Sequence, residues 1–136
     1  MEDTVFGKII RRELPAEIVY EDDETLAFMN IEPVTPGHTL VIPKKPFRNI
    51  FDIDDETLAA VMRTVRKISP AVRDSVNAKG VHINSNHEAE AGQTVFHLHV
   101  HIIPRVERGT YAFWPKLPHD PVEASEIASR IRKEIA

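Results

Sequence analysis

The residues His97-Leu98-His99-Val100-His101-Ile102-Ile103 alternate imidazole and aliphatic side chains, and no other stretch is as well equipped for chemistry. In an extended strand, successive side chains point to opposite faces. Leu98, Val100 and Ile102 then face a core, while His97, His99 and His101 share the other face about 6–7 Å apart. Upstream, Ala91-Gly92-Gln93-Thr94 is a small-residue turn rich in hydrogen-bond donors. Downstream, Pro104 is expected to stop the ladder, because it has no N–H to give. Three uses suit such a row. Two ring nitrogens of a His-x-His pair can hold a metal ion, with His38 as a further ligand, although no companion Cys, Asp or Glu stands nearby. The imidazoles can also be a buried stripe satisfied by backbone. Or a neutral imidazole can attack phosphorus or carbonyl, splitting one hard displacement into two easier ones. That chemistry needs an acceptor for the far ring nitrogen and donors for the group under attack. The amides of Gly92 to Val95, the Gln93 amide, the Thr94 hydroxyl and a neighbouring imidazolium are candidate donors. The third use fits the alternation beside a donor-rich turn best, with a phosphate as its natural target.

The flanking sequence must position this row. Thr4 suits the cap of a short helix that Leu14-Pro15 ends. Ile18–Tyr20 and Thr25–Met29 read as a hairpin around the acidic turn Glu21–Glu24. The prolines of Pro33–Gly37 make a loop before a third strand, His38–Ile42. Asp54 caps a long helix whose Leu58, Val61, Met62, Val65, Ile68, Val72 and Val76 recur at helical spacing, and Pro70 is expected to kink or interrupt it. Val81–Asn84 and Val95–Ile103 are the fourth and fifth strands. A loop follows from Arg105 to Pro121. Ile127, Ile131 and Ile135 then predict a helix over Val122–Ala136. The order implies an α+β domain: an antiparallel five-stranded sheet with a long helix on one face and the imidazoles on the other.

At 136 residues, 42% hydrophobic and 28% charged, the chain suits one domain spanning 1–136. Its formal net charge of −4 and lack of a basic stripe argue against a nucleic-acid polymer as partner. No apolar run is long enough for a bilayer, and the start Met1-Glu2-Asp3 is acidic where a signal peptide is basic, so the expected location is cytoplasmic, with no membrane partner. The absence of cysteine excludes disulfides, thiolate nucleophiles and thiolate-held zinc.

The row His97–Ile103 matches His-φ-His-φ-His-φ-φ, with φ aliphatic, and here the chain resembles the histidine triad superfamily. Phe6-Gly7-Lys8-Ile9-Ile10-Arg11, Glu21-Asp22-Asp23, Leu26-Ala27-Phe28, Gly37–Lys45 and Gly92–Phe96 are similar to the Hint and related bacterial-type branches. The resemblance covers residues 4–108, leaving 109–136 as a tail. It implies a nucleotide hydrolase or transferase acting at an α-phosphorus: a purine nucleoside phosphoramidase, or alternatively a dinucleoside polyphosphate hydrolase or a nucleotide-binding regulatory protein. It further implies that His99 is the nucleophile of a nucleotidyl-histidine intermediate, that His97 and His101 support it, and that His38 is a fourth active-site histidine. Gln93 and Thr94 match positions that contact phosphate or leaving group, Asn86 an amide beside the phosphate, and Asn30 a ribose ligand. Phe6, Ile9, Phe28 and Ile31 match the walls of a base pocket, though all four also suit a plain core. The family's two-fold dimers imply a homodimer with joined sheets.

Departures bear on these expectations. Members with a Cys-x-x-Cys zinc site place it where Thr4 and Gly7 stand, with a histidine ligand at Pro46, so neither a metal nor a cofactor is expected. Phe113-Trp114-Pro115 is only loosely similar to the Hint ending that helps choose the leaving group, and Asn30 matches the fragile-histidine branch while Asn86 is Hint-like. Lys44, Lys45, His82, His87, Glu88 and Glu90 read as solvated, His119 has no evident partner, and Trp114 packs either across a dimer interface or under the tail.

Overall fold

The computed structural model describes residues 3–109 and 114–136; Phe113 of the tryptophan-like segment lies outside them. Five antiparallel strands form one sheet: β1 (Ile18–Glu21), β2 (Thr25–Met29), β3 (Thr39–Pro43), β4 (Gly80–Asn84) and β5 (Val100–Arg105), in the order β1-β2-β3-β5-β4. Among the described residues three α-helices accompany it: α1 (Val5–Ile10), α2 (Asp55–Ser75) and α3 (Pro121–Ile135). The α+β architecture expected from the chain is the one observed.

Strand alternation builds two separate cores. Ala27, Val41, Leu98, Val100 and Ile102 meet Val61, Val65, Ile68 and Val72 of α2 on one sheet face. On the other, Leu26, Phe28, Leu40 and Ile42 meet Phe6 of α1. Asp54 caps α2 by accepting from the Thr57 N–H at 2.7 Å, and Thr4 caps α1 by accepting from Gly7 at 3.2 Å. Register puts His101 opposite Leu40 on β3 and Asn84 on β4, so the imidazole face is the face away from α2.

Several expectations need correction. The histidine strand begins at Val100, not Val95. Ladder pairing with β3 ends at Val41–Val100, and irregular bonds replace it: the Leu98 N–H donates to the Phe47 carbonyl and the Ser85 hydroxyl to the His99 carbonyl. Pro104 does not stop β5 but pairs opposite Val81. Its carbonyl faces the β3 side, where the Thr35 hydroxyl binds it at 3.2 Å, so its missing N–H faces a side on which β3 has already ended. Pro70 does not interrupt α2, which runs unbroken through it. Pro70 and Arg66, whose carbonyl loses its helical donor, both lie on the exposed side, where water can serve that carbonyl. The stripe Ile127, Ile131 and Ile135 is helical, but α3 buries no residue, and Trp114 is exposed rather than packed under the tail.

Candidate active site

Hydrogen bonds assign the tautomer of each clustered imidazole. The Val34 N–H donates to His38 Nδ1 at 3.1 Å, so the His38 proton sits on Nε2. That Nε2–H donates to His101 Nδ1 at 2.9 Å, which leaves the His101 proton on Nε2. His97 donates Nε2–H to the Pro43 carbonyl at 2.7 Å. His99 donates Nδ1–H to the His97 carbonyl at 2.8 Å, so its Nε2 carries the lone pair. Among the described residues no donor occupies that Nε2. The ring is held edge-on between Phe6, at 4.9 Å, and His101, at 5.0 Å.

Burial keeps these rings neutral. It lowers the pKa of His99, against the opposing pull of the His97 carbonyl. It lowers those of His97 and His38 as well, with Arg105 and His99 adding repulsion at His38. His101 is pushed down to about 4 by burial, then by His99 and His38. At neutral pH, His99 therefore presents an unprotonated nitrogen with no proton to lose first.

The other expected site residues differ in burial and in how they are held. His97 is only 1% exposed and locked at both ends, which makes it a support for His99. Thr94 is exposed, and among the described residues neither its N–H and hydroxyl nor the Val95 N–H has a protein partner. Asn30 and Asn86 are half-buried; Asn30 accepts from the Glu32 N–H, and Asn86 lies beside Gly92. Phe6 and Phe28 belong to the second core, with Ile9 packed against it, and Phe6 supports the rings of His97 and His99.

Ile31 and Gln93 are held in opposite ways. Ile31 is 89% exposed and takes no part in either core. The Gln93 side chain is not presented to a phosphate. Its Oε1 accepts from the Glu88 N–H at 2.8 Å and from Asn49 Nδ2 at 3.0 Å, and its Nε2 donates to the Arg48 and Val95 carbonyls at 2.8 and 3.1 Å. All its polar valences are spent on shaping the turn.

Other contributors escaped the sequence reading. Ser85 fixes the His99 carbonyl. Buried Asn49 bonds Glu88 and Gln93. His87 accepts the Ile50 N–H, and Arg48 pairs with Glu88, so His87 and Glu88 are structural rather than merely solvated. No periodicity marks such loop residues. The only cue was the density of polar side chains before Gly92. His82 shares the imidazole face and accepts from Arg105 Nε at 2.9 Å. Two surface cavities of about 380 and 360 Å³ line β4 and contain none of His38, His97, His99 or His101. Among the described residues no cluster of His, Asp and Glu is arranged to hold a metal ion.

Comparison with known proteins extends this geometry. Residues 11–108 match the family model described as HIT domain. Protein hit of Bacillus subtilis strain 168 is 41% identical over a 139-residue alignment covering 99% of this chain and 96% of the relative. The crystal structure of SMU.412c from Streptococcus mutans UA159 superposes with a TM-score of 0.93 at 38% identity, over 100% of this chain and 87% of that one. A crystal structure of a histidine triad nucleotide-binding protein from Candida albicans superposes with a TM-score of 0.86 at 27% identity, over 98% and 97% of the two chains.

Proposed function

The chain belongs to the HIT domain family, and from that premise we propose that it is a purine nucleoside phosphoramidase working through a nucleotidyl-histidine intermediate. The observation that carries this reading is the His99 tautomer: Nδ1–H tied to a carbonyl, Nε2 free, the ring neutral. In the first step, Nε2 attacks the α-phosphorus. A P–N bond to His99 forms as the bond to the leaving amine breaks, and the amine departs with a proton taken up from solvent water. The His97 carbonyl then faces a cationic imidazole, whose Nδ1–H it holds more strongly. In the second step, water attacks the same phosphorus and gives up a proton to solvent, the P–Nε2 bond breaks, and the nucleoside monophosphate leaves. The Thr94 and Val95 N–H groups, the Thr94 hydroxyl and the His101 Nε2–H are the proposed donors to the phosphoryl oxygens. Asn30 would take the ribose hydroxyls and Asn86 the phosphate side.

The name of the Candida albicans relative, a nucleotide-binding protein, supports the ligand class. A two-fold homodimer is part of the proposal, as is a cytoplasmic setting. Among the described residues no helix is long and apolar enough to cross a membrane.

The test is turnover of adenosine 5′-phosphoramidate beside a diadenosine polyphosphate. The reading expects a higher kcat/KM on the phosphoramidate. His99→Ala should lose at least about 10⁴-fold in kcat, because binding cannot replace a nucleophile. It should still bind nucleoside monophosphate. Preference for the polyphosphate would move the assignment to a dinucleoside hydrolase. Tight monophosphate binding without turnover of either substrate would make the chain a binding protein.

A further inference from the structure

Glu88 holds a backbone conformation that its side chain disfavours, with φ 79° and ψ 158°. That region is essentially glycine's, and another residue stays there only where its surroundings over-determine it. Here they do. The Glu88 carboxylate accepts from Arg48 Nε at 2.9 Å, Arg48 Nη2 at 2.8 Å and Asn49 Nδ2 at 2.6 Å. Its N–H donates to Gln93 Oε1, and its carbonyl accepts from the Ala91 and Gln93 N–H groups.

Arg48 also reaches the far end of the same loop. Its guanidinium stacks on the Phe96 ring at 4.1 Å, and its carbonyl accepts from Gln93 Nε2. Glu88 precedes Gly92–Val95, and Phe96 follows directly and leads into His97. One arginine therefore touches both ends of the turn whose Thr94 and Val95 N–H groups are unspent. Stability alone does not account for this pair. Arg48 and Glu88 are 47% and 37% exposed as side chains, and exposed ion pairs stabilise little. Glycine at 88 would relieve the backbone. What glutamate adds is a carboxylate that reaches Arg48 and Asn49.

We propose that Glu88 and Arg48 are positioning residues, a two-ended clamp that sets the Gly92–Val95 turn at the distance from His99 that its phosphoryl group requires. The proposal rests on the phosphoryl-transfer reading above. It implies that the clamp acts on kcat more than on folding.

Glu88→Gly frees the backbone and deletes the clamp, two opposed effects on stability, so Tm should stay within about 3 °C of the parent. The kcat on adenosine 5′-phosphoramidate should fall at least tenfold, since a misplacement near 1 Å costs roughly a hundredfold. KM should change less than kcat. Hydrogen exchange at the bonded amides of Ala91, Gly92 and Gln93 should quicken in the free protein. Glu88→Gln keeps the chain length and an acceptor oxygen and should recover most of kcat. Arg48→Lys keeps the charge but loses the fork and the stack, so it should resemble Glu88→Gly. Parental kcat and exchange in Glu88→Gly would overturn the clamp, as would a kcat loss no larger than the loss of folded protein. If the parent turned over no nucleotide, the functional reading would fail separately, and the exchange rates would still decide the clamp.

Discussion

Replacing Gln93 by leucine separates a turn-shaping amide from a phosphate ligand. The two side chains are similar in volume, so little space is opened or overfilled. Gln93 is 3% exposed and makes four side-chain hydrogen bonds. Leucine makes none of them. Asn49 Nδ2 keeps its 2.6 Å bond to Glu88, so its loss is small. The Glu88 N–H and the carbonyls of Arg48 and Val95 are left without that partner. These groups lie near the surface, where an orphaned group costs about 1 kcal/mol, the low end of the usual range. Three such groups give about 3 kcal/mol of lost stability. For a chain of this length each kcal/mol lowers Tm by roughly 3–4 °C, so the midpoint should fall by about 10 °C. Calorimetry with urea denaturation measures this, and an unchanged m value would show that the folded and unfolded states keep their compactness. Kinetics well below both midpoints should then show kcat reduced along with the turn's order. A Tm within about 3 °C of the parent, with KM raised and kcat intact, would refute the reasoning and make Gln93 a phosphate ligand.

Two further outcomes follow from the same geometry. The clustered histidines are neutral in the native state, with pKa values below 6.5, that of His101 about 4. As pH falls from about 6.5 towards 4, the unfolded chain takes up protons that the folded chain refuses. Stability should therefore be fully present above pH 6.5 and decline across that window, which urea midpoints at pH 7.5, 6 and 5 will show; a midpoint rising as pH falls would contradict the assignment of neutral rings. Leu98→Ala should cost about 2–5 kcal/mol in the same urea assay, because the side chain is 1% exposed in the core under α2.

The parts legible in the sequence were those governed by periodicity and caps. Alternation placed Leu98, Val100 and Ile102 in the core under α2 and the imidazoles on the opposite face. Asp54 and Thr4 cap where their side chains suggested. What escaped depends on partners distant in sequence. Pro104 sits inside a strand because one neighbour has already ended, and no local pattern records where β3 stops. His97 and His99 are held by the Pro43 carbonyl and by Ser85, which substitute for a ladder that the histidine row alone suggested would continue. Gln93 carries the residue type of a ligand, but its use is set by Arg48, Asn49 and Glu88 across loops. Glu88 was the least legible: nothing in its neighbours signals a glycine-type backbone, and its partners lie about 40 residues upstream.

Rapid-quench mass spectrometry of the protein mixed with adenosine 5′-phosphoramidate asks whether a covalent nucleotide forms, and on which nitrogen-bearing side chain. The account predicts a transient adenylyl adduct on one peptide, assigned to His99, decaying as monophosphate appears and missing from His99→Ala. Turnover without any adduct, or an adduct on His101, His87 or another residue that persists in His99→Ala, would contradict it.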